Sequence, residues 1–598
     1  MKISYNWLKW YLPQIPEPQK LSDVFTYHLA EVESLEKRES PAGEDWIFDV
    51  NILPNRAHDL LSHQGIAREI SRLLKINFVD PTPKYKVPES RPTNLEIKTE
   101  TEKCRRYMGR IIRNVKVGPS PDWMKEHLEA IGQRSINSVV DAANIVMYDC
   151  GQPTHAFDLN KLHSEKIIIR LAENGEEMTT LDNKEVKFST DDMVIADDEK
   201  VLAIAGVKGG KLAEVDANTT DIVLEVANFE PTSVRKTAQR QGIFTDARKR
   251  FENDLSPELA PFAMQALTAL ILEVCPEATV EEIVDIYKDK PKERVLPFSS
   301  ERISKILGLE VSAEEVEEIL KQHDYAYTRE GGDFEIIVPV MRLDLVGQED
   351  MAEEIARIVG YDRVKPEIPK INFAPKENSV YLKMTWARNK LLGEGYSETI
   401  TYSFTEKGER EVLESASDKK FLRANLSDGL KESARLNQLN APFFGVTTVK
   451  VFEIGTVFLK DREEMRVAYG DQKKITEVTL DEFCNAVEGS AKTHVTARPP
   501  LHVFKMWSLY PFISRDIAVW IPESQGPEKL ETLLRENGTD LLVKNPQMFD
   551  SFTKDGRTSY AFRLVFQSYD RTLTDAEVNQ VMEAIVAKIK DNSEWEIR

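Results

Sequence analysis

Cysteine is scarce in this chain. Its 598 residues hold four, Cys104, Cys150, Cys275 and Cys484, far apart and with no pair at the spacing of a zinc site or a disulfide framework. That excludes a disulfide-stapled secreted scaffold and predicts a reduced, cytoplasmic protein. Long apolar runs are missing as well. No segment approaches the roughly 20 apolar residues of a membrane span, and the opening MKISYNWLKWYLPQIPEP lacks the unbroken apolar core of a signal peptide. No membrane contact is therefore expected. Positive charge is in deficit: 79 Lys and Arg against 100 Asp and Glu leave a net charge of −21. Such a balance excludes a protein that coats nucleic acid non-specifically, while leaving room for a local basic patch. There is no internal repeat and no low-complexity tract, which excludes a solenoid.

What is present reads as several globular domains. A single core does not extend over 598 residues, and 41% hydrophobic with 30% charged residues is ordinary for packed α+β domains. Proline-rich linkers at DPTPKYKVPESRP (80–92) and KDKPKERVLP (288–297) mark boundaries. Ahead of the first, WIFDVNILPNRAHDLLSHQGIAREISRLL predicts a strand, a Pro-Asn turn and an amphipathic helix with Ile66, Ile70, Leu73 and Leu74 inward. Between the linkers lie the strands KIIIRLA, MVIADD, VLAIAGV and IVLEVANF. Beyond the second come helical patterns at 300–308, 313–322 and 350–359 around a strand FEIIVPV. From residue 505 the order strand, helix, strand, strand, helix suits a ferredoxin-like sandwich.

Four stretches carry chemistry. In IVLEVANF (222–229), alternation puts Val223, Glu225 and Ala227 on one face and Ile222, Leu224 and Val226 on the other, so Glu225 is expected inside an apolar layer. A buried carboxylate needs a donor, which an arginine or a ligand hydroxyl would supply. In GQPTHAFDLNKL (151–162), His155 stands beside an apolar patch and reads either as a packed ring or as a working imidazole. VLAIAGVKGG (201–210) runs a strand into Gly209 and Gly210, either a plain hairpin or a close backbone approach to a ligand. In MRLDLVGQEDMAEEIARIVGYDRV (341–364), Asp350, Glu353 and Glu354 share one helix face with Asp344 just upstream. All-oxygen donors suit Mg²⁺ or Ca²⁺; the alternative is helix N-terminal acids with Glu353 paired to Arg357. Two basic clusters, Lys103, Arg105, Arg106, Arg110 and Arg113, then Arg235, Lys236, Arg240, Arg248, Lys249 and Arg250, read first as solvated faces.

Taken together, MKISYNWLKWYL, ILPNRAHDLLSHQGIAREIS, SVVDAANIVMYDCGQPTHAFDLNKL, AIAGVKGG, TTDIVLEVANFEP, RQGIFTDARKRFE, the run RLDL…EDMAEEIARIVGYDRV, GEGYSETITYSF, VKVFEIGTVF, YPFISRDIAV and RTLTDAEV are collinear with one family. They resemble the β subunit of bacterial phenylalanyl-tRNA synthetase. The resemblance implies a multidomain α+β chain: an N-terminal α/β domain (1–80), an editing domain (85–288), a winged-helix-like metal-binding domain (292–366), a shortened, degenerate class II synthetase-like antiparallel core (370–500) and a ferredoxin-like anticodon-binding domain (505–598). The family's OB-fold domain looks absent, since only ESPAGED (39–45) stands in its place.

The resemblance also implies function. An α subunit, partner in an (αβ)₂ heterotetramer, would join phenylalanine to tRNA(Phe) using ATP, while the β subunit binds tRNA and hydrolyses mischarged Tyr-tRNA(Phe). His155, Glu225, Thr245, Ala247 and Gly209 match its editing pocket, with Glu225 the tyrosine-recognising residue. Asp344, Asp350, Glu353 and Glu354 match a Mg²⁺ site, and Asp550, Phe552, Ser559 and Ala561 match the anticodon contacts. Departures at Ala143, Lys208, Arg248 and Asn253-Asp254 leave a second reading open, a structural, tRNA-binding subunit that has lost editing.

Overall fold

The structure, a computed structural model, describes every residue except 42, 374, 375, 377, 414, 416, 417 and 486–505. It divides into two units, Met1–Ile368 and Pro369–Arg598.

In the first unit the strands Glu31–Ser40 and Gly43–Asn51 pair directly, with Ser40 opposite Gly43. The Pro-Asn turn is a single 3-10 turn, Pro54–Arg56, and the expected helix is His63–Leu74. Ser62 caps that helix by accepting from the Gly65 amide. Ile66 and Ile70 are fully buried, whereas Leu73 and Leu74 are only half-buried, because the helix ends at Lys75 in a left-handed turn and its last turn leaves the core.

The segment between the linkers forms two facing sheets. One has the order Lys208–Gly209, Val201–Ile204, Met193–Ala196, Lys166–Leu171, Glu96–Thr99; the other has Thr279–Val280, Cys104–Arg113, Asp221–Phe229, Thr154–Asp158. Strand alternation explains how Asp221–Phe229 joins two cores. Ile222, Leu224 and Val226 pack with Val139, Ala142 and Ala263 of the helices Ser138–Cys150 and Ala260–Val274. Val223 and Ala227 pack with Ile167, Ile195 and Ile204 of the facing sheet. Glu225 therefore enters the layer between the sheets.

Several members of the basic clusters form ion pairs, while Arg235, Lys236 and Lys249 are exposed. Arg105 pairs with Asp254, Arg106 with Asp285, Arg113 with Glu165 and Glu281, Arg240 with Asp192, and Arg248 with Glu252. Asp254 holds a left-handed φ of +69° and is fixed by Arg105 at 2.7 Å. Residues 295–361 place the helices Ser300–Leu307, Ala313–Gln322 and Gln348–Val359 beside a three-stranded sheet, with Met351 and Ile355 fully buried.

The second unit carries a four-stranded sheet of Ser397–Glu398, Val451–Phe458, Glu463–Gly470 and Ile475–Thr479. It is antiparallel except at its edge, where Ser397–Glu398 runs parallel to Val451 and Phe452. Its buried Arg423–Glu453 pair closes at 2.6 Å. At the C-terminus Ile513–Pro522, Glu528–Asn537, Gln547–Lys554, Arg557–Phe566, Asp575–Lys590 and Glu596–Ile597 form a ferredoxin-like sandwich. The last strand, too short for its alternation to be read, completes it.

Candidate active site

The register of three strands builds one site. Glu225 pairs with Gly109 on one side and with His155 on the other. Both side chains line a cavity of about 350 Å³ with Gly209, Thr245, Ala247, Lys208, Tyr148 and Phe251. All five residues expected in an editing pocket are thus brought together.

Each is held by local chemistry. The backbone at Gly209 lies against the imidazole: a Cβ there would sit 2.9 Å from His155 Cε1 and 3.0 Å from Leu181 Cδ1, so only glycine fits. His155 packs edge-on to Phe157 at 4.7 Å, and among the described residues no hydrogen-bond partner is recorded for either ring nitrogen. Burial lowers its pKa to about 4, so it is neutral at physiological pH. Thr245 is a clamp. Its hydroxyl donates to Val207 O at 2.9 Å and accepts from the Arg248 amide at 3.0 Å, which caps the helix Asp246–Phe251 that carries Ala247 at the cavity. Glu225 is 8% exposed, and burial pushes its pKa up to about 8 against the opposing hydrogen bond from Tyr107. It is therefore mostly a neutral acid near pH 7.

Two departures noted in the sequence take different places. Ala143 is packed in the helical core and does not line the cavity; its carbonyl accepts from Thr154. Lys208 does line it, with Nζ 3.6 Å from Asp182. Sequence reasoning missed Tyr107, whose hydroxyl donates to Glu225 Oε2 at 3.2 Å. In the sequence this stretch read only as a basic cluster, and nothing local gave the register of Tyr107 against Glu225.

The four acids expected to form a metal site, Asp344, Asp350, Glu353 and Glu354, each have other partners in the structure. Arg342 binds both oxygens of Asp344, at 2.9 and 2.6 Å, and His58 Nε2 lies 3.0 Å from the same carboxylate. Glu354 accepts from Arg342 at 2.8 Å, Arg357 at 2.8 and 2.9 Å, and Arg56 at 3.2 Å. Asp350 accepts from the Val346 and Gly347 amides at the start of its helix. Glu353 is exposed and takes Asn55, so Arg357 pairs with Glu354 rather than with Glu353. Arginines already pair with half-buried Asp344 and buried Glu354, and no group of three or more acids, His or Cys that could hold an ion is found among the described residues.

At the C-terminal hairpin, Asp550 pairs with Ala561 and Phe552 with Ser559. Asp550 and Phe552 are exposed, but Ser559 and Ala561 are buried beneath them. Phe552 meets Trp520 edge-on at 6.0 Å. Phe549 is half-exposed under Arg563 at 5.1 Å. The bulge between Met548 and Asp550 turns Phe549 toward Arg563, so both rings are offered to solvent on the face that carries Ser559 and Arg563.

Comparison with known families supplies the frame. Residues 103–276 match the B3/4 domain, 296–361 the tRNA synthetase B5 domain, 364–474 the phenylalanyl tRNA synthetase beta chain CLM domain, and 508–598 the ferredoxin-fold anticodon binding domain. The phenylalanine–tRNA ligase beta subunit of Clostridium tetani is 30% identical, over 92% of this chain and 80% of that protein. Its counterpart in Syntrophus aciditrophicus is 30% identical over 93% and 81%, and that of Fusobacterium nucleatum 39% over 63% and 48%. A pocket in a B3/4 domain joined to an anticodon-binding domain defines a subunit of an aminoacyl-tRNA synthetase. The chain belongs to the phenylalanine–tRNA ligase β-subunit family. As a ligase subunit it works with an α partner and binds tRNA, and its B3/4 and anticodon-binding domains fit that subunit's tRNA-binding and editing role. No described helix is long and apolar enough to cross a membrane.

Proposed function

We propose that this subunit clears Tyr-tRNA(Phe) in the cavity between Glu225 and His155, while its α partner, in an (αβ)₂ assembly, charges tRNA(Phe) at the expense of ATP. The ATP and Mg²⁺ of that reaction belong with α rather than with Asp344–Glu354. One observation carries the reading: a buried carboxyl and an imidazole without a recorded partner stand side by side on adjacent strands, lining a cavity of about 350 Å³, room for an aminoacyl end.

Tyrosine exceeds phenylalanine by one hydroxyl, and an apolar pocket rejects an added hydroxyl only about a hundredfold. A second site that requires the hydroxyl reverses the penalty. Tyrosine pairs the Glu225 carboxyl; phenylalanine strands it. With a pKa near 8, Glu225 is largely neutral and can both donate and accept, so the oxygen that Tyr107 does not hold is left unpaired by a plain ring. His155, neutral and nearly non-basic, serves by positioning a water or the ester rather than by removing a proton outright.

The test is deacylation of preformed Tyr-tRNA(Phe) by the αβ complex. Glu225→Ala is expected to slow it about a hundredfold while phenylalanine charging persists; unchanged deacylation would leave only a structural, tRNA-binding subunit. Gly209→Ala, which drives a methyl group into the imidazole, is expected to cost a factor of about ten to a hundred in kcat for the same reaction. Wild-type kcat in that variant would remove His155 from the mechanism.

A further inference from the structure

We infer that Tyr107 is the positioning residue of this site: its hydroxyl occupies one oxygen of Glu225 and so presents the other to the tyrosine hydroxyl of the substrate. The inference rests on the editing function proposed above.

The sheet register sets up the contact. Glu225 lies directly opposite Gly109, which has no side chain, and Tyr107 is the diagonal neighbour two residues along the same strand. A Cβ at position 109 would stand 2.5 Å from Ile97 Cδ1 and displace that side chain. The empty position lets the Tyr107 ring lie beside Glu225, fully buried and paired across its other edge with Ile286. Its hydroxyl reaches Oε2 at 3.2 Å. Among the described residues no donor is recorded for Oε1, and Glu225 lines the cavity.

The direction of that hydrogen bond matters. Burial and the adjacent Glu225 carboxyl raise the Tyr107 pKa well above 10, so the phenol stays protonated and remains the donor. Oε2 is then committed as an acceptor. When Glu225 is neutral, its proton resides on Oε1, where it can be donated to a substrate phenol oxygen. When Glu225 is ionised, Oε1 accepts the phenol proton instead. Tyr107 thus converts a carboxyl with two equivalent oxygens into one with a fixed outward face. It also favours the ionised form, opposing the burial that raises the Glu225 pKa. The other titratable groups around Glu225 are Cys104 on the Tyr107 strand, His155 on the opposite strand, and Lys208 and Asp246 lining the cavity. Burial, then Glu225, raises the Cys104 thiol pKa, and burial keeps His155 neutral, so neither changes charge near pH 8.

Tyr107→Phe removes a single oxygen and keeps the ring. In the αβ complex with Tyr-tRNA(Phe), this variant is expected to raise KM about tenfold with a smaller change in kcat. The inflection of KM near pH 8, corrected for spontaneous ester hydrolysis, is expected to move to higher pH; in Glu225→Gln it should disappear. A Tyr107→Phe enzyme with wild-type KM and an unmoved inflection would overturn the positioning role while leaving the editing site in place. Unchanged deacylation in Glu225→Ala would instead overturn the editing reading on which the inference stands.

Discussion

Replacing Glu354 with alanine is expected to lower the stability of the Met1–Ile368 unit by about 3–5 kcal/mol, the cost of removing one partner from a buried charge network. The carboxylate is 4% exposed and receives Arg342, Arg357 and Arg56, which come from both sides of the contact between the winged-helix-like domain and the N-terminal segment. Arg357 also binds Glu69 at 2.7 Å, so one deletion leaves three guanidinium groups short of charge. The pH dependence has a definite sign. Burial raises the pKa of Glu69, but Arg357 and Arg56 outweigh it and hold it near 2; Glu354 is depressed well below its usual range in the same way. Depressed carboxylates stabilise fully above their unfolded values near pH 4.5 and lose that contribution as pH falls toward 2. Urea unfolding from pH 7 down to pH 3 should therefore show a steeper loss in the wild type than in Glu354→Ala. Treatment with EDTA should leave the wild-type transition where it was. A metal-dependent shift would restore the cation site that the arginines displace.

Deleting residues 505–598 is expected to abolish charging of tRNA(Phe) by the αβ complex while ATP- and phenylalanine-dependent activation, measured by pyrophosphate exchange, survives. The segment holds the ferredoxin-like domain, whose edge strand Gln547–Lys554 is exposed along its whole length. Stacking a base on Phe549 or Phe552 is worth about 1–3 kcal/mol. Exchange of Phe552 for alanine should therefore weaken tRNA binding roughly tenfold, a smaller effect than the deletion. Because Ser559 and Ala561 lie under the Trp520–Phe552 pair, Ser559→Ala alone should change affinity little. Near-normal charging by the truncated complex would end the anticodon assignment.

The residues differ in how far the linear sequence revealed them. Glu225 was legible because a period of two is enough to bury it: Val223 and Ala227 flank it on its own face, and Ile222, Leu224 and Val226 fill the other. His155, Gly209, Thr245 and Ala247 were legible only through the family resemblance, since their spacing alone suits a hairpin and a packed ring equally well. Tyr107 escaped because its meaning depends on a register between strands 118 residues apart. The acidic helix misled for a related reason. Helical spacing put Asp350, Glu353 and Glu354 on one face, yet the partners that settle Glu354 include Arg56, 298 residues away, and Arg342, which lies before the helix begins. Periodicity reports which side chains share a face and is silent about what that face meets.

The hairpin of Glu31–Ser40 and Gly43–Asn51 has a use of its own. Ser40 and Gly43 are partners across the last rung of the ladder, and its outer residues Glu39 and Glu44 are exposed. Chain ends held about 5 Å apart in this way form a natural splice point. A whole module whose own termini lie close together can be grafted there without breaking a strand pair or opening a core, at a cost that grows only slowly with the length of the insert. The subunit thereby offers a permissive port for adding an RNA-binding or affinity module, well separated in sequence from the Glu225 cavity and from the Glu354 charge cluster.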